Sequence, residues 1–163
     1  MKELVIAAAC AAFAVLSPSF AEDAPAPNEA VKIAIDYLSA YSTFDVEKIE
    51  PFLADDAVFE DPTSAGQTPL ENGFFFEGKQ AIIDGLGGYA AQFAKFSVRY
   101  DFERHYESAG NVVFVAQLNY LSTTTDGRVF EGAAPIVTVI RVRDGKVVRH
   151  SDYYDYRSNA VEF

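Results

Sequence analysis

The sequence predicts an α+β domain in which N-terminal helices pack on one face of a cone-shaped, curved antiparallel sheet. In the first half of the chain, apolar residues recur at helical spacing, whereas from Lys95 onward they alternate with a period of two. Turn signals at 109–111, 126–127 and 144–145 divide the second half into four long strands joined by three hairpins. Helices that come first and a strand meander that comes last are typical of an α+β layer.

The helical half begins with an amphipathic segment over 29–43, for which Asn28 is the expected N-cap. Asp45 is expected to cap a second, short helix that runs to about Leu53. Pro51 lies inside this helix, so we expect a kink or a shortened helix. The acidic pair that follows is expected to end it.

The remaining elements follow in order. Residues 57–60 predict a short strand, and 62–77, with two prolines, two glycines and three consecutive Phe, predict a long loop with an apolar tip or lid. Residues 79–93 predict a third helix weakened by glycines. The four meander strands are expected at roughly 95–107, 112–125, 128–143 and 146–156. Their aromatic residues fall on both faces, which favours an apolar cavity; the alternatives are that these residues simply fill the core, or that one face forms a dimer contact.

The N-terminal segment has the pattern of a secretory signal: a basic start at Lys2, an apolar run over 4–16, and small residues at Ser19 and Ala21. A membrane anchor needs about 20 apolar residues, so the run is short for one. We therefore predict a signal peptide over 1–21, a proline-containing linker over 22–27 and a domain over 28–163. This organisation predicts a periplasmic or secreted protein.

Charge and composition exclude several classes of partner and of chemistry. The 163 residues carry 13 basic and 24 acidic side chains, a net charge of −11, which disfavours nucleic acid and anionic membrane surfaces as partners. Cys10 is the sole cysteine and lies in the predicted signal, so thiol chemistry is excluded after cleavage. Two histidines without a short-spaced ligand pair predict no metal site, and no glycine-rich phosphate loop indicates a cofactor.

One stretch carries a family resemblance: Tyr37 on the first helix, the cap Asp45, the pair at 55–56, and Asp61 followed by Pro62 at a strand end. This pattern resembles the nuclear transport factor 2-like superfamily, whose cone-shaped fold is also called cystatin-like. The superfamily includes ketosteroid isomerase and the SnoaL-like polyketide cyclases. The resemblance spans about residues 30 to 156 and implies a cone around an apolar cavity and a homodimer formed through the open sheet face.

The resemblance also implies roles. Tyr37 falls where the isomerases keep an oxyanion-hole phenol, and Asp61 falls where they keep the proton-shuttling carboxylate. Such a carboxylate can take a proton α to a carbonyl, while a buried phenol donates to the resulting enolate oxygen. Val137 falls where the isomerases keep a second donor. Because valine cannot donate, about 3–4 kcal/mol of transition-state stabilisation is lost, which disfavours steroid isomerisation.

The last predicted strand carries further polar side chains that are candidates for the site. His150, Asp152 and Tyr154 share one face of it, which the resemblance assigns to the cavity together with Asp61 and Tyr37. The expected ligand-binding residues are Tyr154, Val137, Phe59 and Tyr120. The alternative for His150 and Asp152 is an ion pair at a strand edge, or side chains that face solvent.

Two functions remain open. The first is an exported SnoaL-like domain that binds a small hydrophobic ligand in the cone. The second is an isomerase, cyclase or dehydratase of a carbonyl compound, with Asp61 as general base, Tyr37 as oxyanion donor, and His150 and Asp152 assisting. The sequence does not decide whether the protein is an enzyme.

Overall fold

The structure, a computed structural model, describes residues 27–63 and 73–154. The elements in chain order are α1 (Pro27–Tyr41), α2 (Val46–Ile49), a 3-10 turn (Glu50–Phe52), β1 (Leu53–Asp61), β2 (Phe74–Glu77), α3 (Lys79–Ala90), β3 (Phe93–Ser108), β4 (Asn111–Thr124), β5 (Val129–Arg143) and β6 (Lys146–Tyr154). The predicted signal peptide and most of the predicted linker lie outside the described residues, as do 64–72 and everything after 154.

The six strands form one curved sheet in the order β2-β1-β6-β5-β4-β3. The α+β class is confirmed. The sheet is mixed rather than wholly antiparallel, because β1 pairs parallel with β6 while every other neighbouring pair is antiparallel. The β5–β6 hairpin returns the chain beside β1 in the same direction. The predicted meander of four strands is confirmed to within a few residues at each end.

The first helix begins earlier than predicted. Pro27 is its first residue, so Asn28 lies within the first turn and is not the N-cap. Proline suits this position because the first helical N–H has no partner within the helix. The cap predicted for the second helix is confirmed, since the side chain of Asp45 accepts a hydrogen bond of 3.2 Å from the N–H of Glu47. That helix is shorter than expected: it passes into the 3-10 turn containing Pro51.

Two other local predictions were wrong. The acidic pair at 55–56 lies within β1 and does not end a helix. The triple Phe of 74–76 is not a loop tip but part of β2, which pairs with β1 so that Phe76 lies opposite Phe59 and Phe74 opposite Asp61. Consecutive aromatic residues fit a pleated strand well, and the sheet edge offered by β1 supplies their hydrogen-bonding partner.

The helices cover one face of the sheet. Helix α1 contacts β3 to β6, and α3 contacts β1, β2 and β3. The core lies between them and is built from alternate strand residues, with Phe59, Phe114 and Ile140 at 2% exposure or less. None of the helices in the described ranges is long and apolar enough to cross a membrane.

Candidate functional site

A cavity opens where α3 and the end of α1 meet the β1–β2 edge of the sheet. Its volume is about 60 Å³, and aromatic side chains form most of its wall. The lining aromatic residues are Tyr41, Phe44, Phe59, Phe74, Phe76, Tyr89, Phe96 and Tyr154. This volume is far below the roughly 300–1,000 Å³ of sites for drug-sized ligands, so the cavity suits a ligand of only a few non-hydrogen atoms.

Strand alternation and one glycine shape the wall. Phe59 and Asp61 are two residues apart on β1 and therefore face the same side. Phe76 lies across from Phe59 on β2, with near-parallel rings whose centroids are 5.9 Å apart. On α3, a Cβ at Gly85 would collide with the ring of Phe76. Glycine at this position lets the helix approach the β2 ring closely.

Asp61 is the one carboxylate among the lining residues that the structure describes, and its exposure is only 4%. Its Oδ1 accepts hydrogen bonds from the backbone N–H of Thr63 at 3.2 Å and from the Thr63 hydroxyl at 3.3 Å. The same hydroxyl accepts a 2.8 Å hydrogen bond from the N–H of Tyr154. Asp61 therefore does two things: it faces the cavity and it holds the turn that ends β1 against the end of β6.

A second polar cluster is buried in the core. The Tyr37 hydroxyl lies 2.9 Å from Nδ1 of His150, whose Nε2 lies 3.0 Å from Oδ2 of Asp152. Thr138 donates a 2.6 Å hydrogen bond to Oδ1 of Asp152. All four side chains are at 1% exposure or less. The prediction that His150, Asp152 and Tyr154 share an inward face agrees with this geometry, and the surface alternative for His150 and Asp152 does not.

The hydrogen-bonding pattern indicates how protons are arranged. When Nδ1 of His150 accepts from the Tyr37 hydroxyl, the ring proton is on Nε2 and faces Asp152. Nε2 and Oδ2 lie 3.0 Å apart, yet neither atom has a well-formed hydrogen bond. The cluster is therefore packed tightly but not fully satisfied.

Burial keeps the nearby phenols protonated. It raises the pKa of Tyr37 well above its ordinary value, and the negative charge of Asp152 raises it further. Burial is also the largest cause of the raised pKa values of Tyr41, Tyr100 and Tyr154, to which Asp152 again contributes. At neutral pH these hydroxyls are neutral and able to donate hydrogen bonds.

The cluster lies one layer behind the cavity wall. Tyr41 and Phe59 line the cavity and pack edge-on against the ring of His150, with centroids 4.7 and 4.9 Å away. Tyr37, His150 and Asp152 do not line the cavity. The structure thus contradicts the expected place of Tyr37 beside Asp61, because its hydroxyl is directed into the core toward His150.

The expected ligand-binding residues divide into two groups. Phe59 and Tyr154 line the cavity. Val137 lies on the outer face of β5 and is 37% exposed, because alternation turns its neighbours Ile136 and Thr138 inward. Tyr120 is 41% exposed and lies over Gly132, outside the lining set. Val137 and Tyr120 are therefore not cavity residues in this structure.

Several residues of the cavity wall were not predicted from the sequence. Tyr41 is one helical turn after Tyr37 and shares its inward face, a signal that was available. Phe44, Tyr89 and Phe96 form one ring cluster, with centroid separations of 4.6 Å for Phe44–Phe96 and 5.2 Å for Tyr89–Phe96. They come from a loop, α3 and β3, and no local pattern joins these segments. Within the described ranges, no group of three or more His, Cys, Asp or Glu side chains is placed to hold a metal ion.

The fold is that of the nuclear transport factor 2-like proteins, among them a protein of unknown function from Burkholderia pseudomallei. Within that class, this chain belongs to the SnoaL-like domain family, whose sequence profile matches residues 34–150. The predicted superfamily is confirmed. No curated protein sequence gave a significant match to the chain.

Similar solved structures support the fold. A protein described as a SnoaL-like polyketide cyclase from Shewanella putrefaciens is 22% identical, with a TM-score of 0.66 over 81% of this chain and 82% of that one. A ketosteroid isomerase-like protein from Catenulispora acidiphila in complex with trimethylamine is 18% identical, with a TM-score of 0.58 over 76% and 85%. TerC co-crystallised with polyporic acid is 18% identical, with a TM-score of 0.59 over 78% and 92%. At these identities the likeness establishes fold alone.

Proposed function

We propose that this protein binds a small, largely apolar molecule in the aromatic cavity. The observation that carries the proposal is a small cavity walled, among the described residues, by eight aromatic rings and one carboxylate. Apolar walls bind by removing ligand surface from water, at roughly 25 cal/mol per Å², and a single polar group is enough to orient a small ligand. Complexes of similarly folded proteins with trimethylamine and with polyporic acid support small-molecule binding in this fold.

A cavity-filling variant tests this function. Leu86 lines the cavity and is 4% exposed, so Leu86→Phe places a larger ring in the ligand's space. Native mass spectrometry of the purified protein, together with thermal shifts against a panel of molecules of four to seven non-hydrogen atoms, should reveal binding that the variant loses. Leu121→Phe, on the outer side of β4, is the matched control. If no compound binds wild-type protein, or if Leu86→Phe binds equally well, the proposal is wrong.

A second candidate is catalysis, favoured by the cavity's own polar groups. Asp61 shares the lining with the phenols of Tyr41, Tyr89 and Tyr154, and the pKa of each phenol is raised chiefly by burial. In an isomerase or related enzyme, Asp61 would take a proton α to a carbonyl and one of these phenols would donate to the enolate oxygen. His150 and Asp152 would act from behind the wall, by positioning Tyr41 and Tyr154.

Proton exchange tests the catalytic candidate. Wild-type protein should speed the exchange of α-protons of acetone for deuterium, followed by NMR, and Asp61→Asn should abolish the acceleration. Asp36→Asn, an exposed carboxylate on α1, is the control. Exchange that is no faster than in buffer, or that survives in Asp61→Asn, rejects Asp61 as the base. Binding without exchange leaves the first function standing.

We also propose export, with cleavage after Ala21. The first described element, α1, begins at Pro27, a few residues beyond this point, so cleavage would leave every described element intact. Expression of the full chain in a bacterial host should give a periplasmic product whose intact mass corresponds to a chain beginning at Glu22. A product that retains residues 1–21, or that stays in the cytoplasm, contradicts the proposal.

We further propose a homodimer that forms through the outer face of the sheet. Cross-strand neighbours there are apolar: Val113 pairs with Val139, Val115 with Val137, and Val137 with Tyr153. Val137 and Tyr153 are 37% and 43% exposed in the single chain. Exposed apolar patches of this kind mark association surfaces. Light scattering should give a dimer for the wild type and a monomer for Val137→Lys, whereas a monomeric wild type rejects the proposal.

A further inference from the structure

Two charged side chains of the neighbouring strands β4, β5 and β6 have no partner. The others take part in an ion pair or a hydrogen bond: Arg143 with Asp56, Arg149 with Glu60, His150 with Asp152, and Lys146 with the carbonyl of Pro51. The side chains of Glu131 and Arg141 form no hydrogen bond or ion pair with any described residue, and both are exposed. They lie on the same strand, β5, and carry opposite charges.

These two charges flank an apolar run on the outer face of the sheet. Side chains alternate along β5, so Glu131, Arg141 and the odd-numbered residues between them share that face. The residues between them are uncharged and exposed or half-buried: Ala133, Pro135, Val137 and Val139. The outer face of β5 therefore has an acidic end, an apolar middle and a basic end.

This order of residues is self-complementary. In an interface between two identical copies related by a two-fold axis, residue i of one copy contacts residue j of the other, and j contacts i. Ile136 lies midway between Glu131 and Arg141. A two-fold axis at Ile136 places Glu131 opposite the partner's Arg141 at both ends, and only apolar residues opposite each other in between.

The spacing of the two charges fits the size of a stable interface. The strand from Glu131 to Arg141 is about 33 Å long, at about 3.3 Å per residue. A typical interface covers about 800 Å² on each partner, and a roughly circular patch of this area is about 30 Å across. Glu131 and Arg141 would therefore lie at the rim, where interfaces are polar, and the apolar residues at the centre.

We propose that two copies of this chain pack outer face to outer face, with their β5 strands antiparallel across a two-fold axis near Ile136 and each Glu131 paired with the partner's Arg141. The inference rests on the proposed homodimer and specifies its geometry. Each copy carries a net charge of −11, so two copies repel each other over most orientations. Opposite charges at the rim select the orientation in which they meet, because like charges in contact are unfavourable.

Charge reversal tests the pairing. Arg141→Glu and Glu131→Arg each bring like charges together at both ends, so each should weaken dimerisation about tenfold or more in sedimentation velocity. The double variant Glu131→Arg/Arg141→Glu restores both pairs at unchanged net charge, and its dimerisation should lie within about threefold of the wild type. Lys32→Glu, on the exposed side of α1, changes the net charge as Arg141→Glu does and should dimerise as the wild type does.

The outcomes separate the pairing from the dimer itself. If Val137→Lys dissociates the dimer but the reversals have no effect, or the double variant is as weak as the single ones, the pairing is wrong and the dimer stands. A wild type that is monomeric, or a dimer that Val137→Lys leaves intact, rejects both.

Cross-linking tests the geometry independently of charge. In a Cys10→Ala background, Glu131→Cys/Arg141→Cys should give a covalent dimer with a bismaleimide that spans about 10 Å, the spacing of sheets packed face to face. Glu131→Cys alone should give none, because the two copies of this position lie more than about 30 Å apart in the proposed arrangement. A covalent dimer from Glu131→Cys alone, or none from the double variant while it remains dimeric, overturns the inference.

Discussion

Removal of the Tyr37 hydroxyl tests whether the buried cluster is structural. Tyr37→Phe keeps the ring, which packs against Tyr41, Phe52 and His150 at centroid distances of 6.2, 6.1 and 5.4 Å. It deletes the 2.9 Å hydrogen bond to Nδ1 of His150. Because His150 is 1% exposed, water cannot readily replace the lost donor.

The expected cost follows from this geometry. An unsatisfied buried polar atom costs about 1–3 kcal/mol, and the retained ring leaves almost no cavity to add to it. A loss of about 2 kcal/mol in the free energy of unfolding should lower Tm by roughly 6–10 °C in a domain of this size. Urea denaturation followed by circular dichroism measures the loss as a lower midpoint at an unchanged m-value.

A matched variant controls for the loss of a hydroxyl as such. Tyr106 lies on β3 and is 57% exposed, so Tyr106→Phe should change stability by no more than about 0.5 kcal/mol. Tyr37→Phe should also leave the affinity for a small ligand of the cavity unchanged, because Tyr37 does not line the cavity. Wild-type stability in Tyr37→Phe, or weaker ligand binding at full stability, would refute the assignment of this hydroxyl to the core.

Three further predictions concern packing, polar contacts and pH. Gly85→Ala should destabilise the fold by about 1–3 kcal/mol, because the added Cβ meets the ring of Phe76. In Gly88→Ala the added Cβ meets nothing within 4 Å, so this variant should stabilise α3 by up to about 1 kcal/mol. Thermal melts check both variants, and equal effects would contradict the wall geometry. Thr138→Val should cost about 2–3 kcal/mol in urea denaturation, because Oδ1 of the buried Asp152 loses its donor, and a change below about 0.5 kcal/mol would count against that bond. Because the pKa values of the buried tyrosines are raised, the stabilisation that these residues contribute is fully present below pH 10, which is the pKa of tyrosine in the unfolded chain. Above pH 10 the free energy of unfolding falls by about 1.4 kcal/mol per tyrosine per pH unit. Absorbance at 295 nm and circular dichroism should therefore change together, and full ionisation of all nine tyrosines in a protein with a native spectrum would contradict this.

Features with local causes were predictable from the sequence. The hairpins follow from turn residues that adopt left-handed backbone angles: Ala109 with Gly110, Gly127, and Asp144 with Gly145 all have positive φ. The cap at Asp45 follows equally from its own side chain. The class of fold could be deduced because these signals lie in order along the chain.

Features with distant causes were not predictable in the same way. Nothing near β1 indicates that its neighbour is β6, so the parallel pairing was missed. The alternation of side chains along β6 correctly put His150 and Asp152 on one face. A periodic pattern does not show how far from the cavity an inward side chain ends. Tyr37 and Tyr41 share the inward face of α1, yet Tyr37 lies in the core and Tyr41 lines the cavity. The family pattern placed Val137 in the cavity, whereas the alternation of side chains along β5 turns it to the outer face. The structure agrees with the alternation.

The place of β6 in the sheet has a consequence for how the protein is made. It follows every other described strand in the chain, yet it lies between β1 and β5 and is the only strand that joins the β2–β1 pair to the β5–β4–β3 meander. Until β6 has left the ribosome, the two parts of the sheet have no shared strand and each has an open edge. The Tyr37 hydroxyl likewise has no imidazole to meet before His150 is made. The sheet can therefore close only after β6 has been synthesised, and a chain truncated before Lys146 would expose strand edges prone to aggregation.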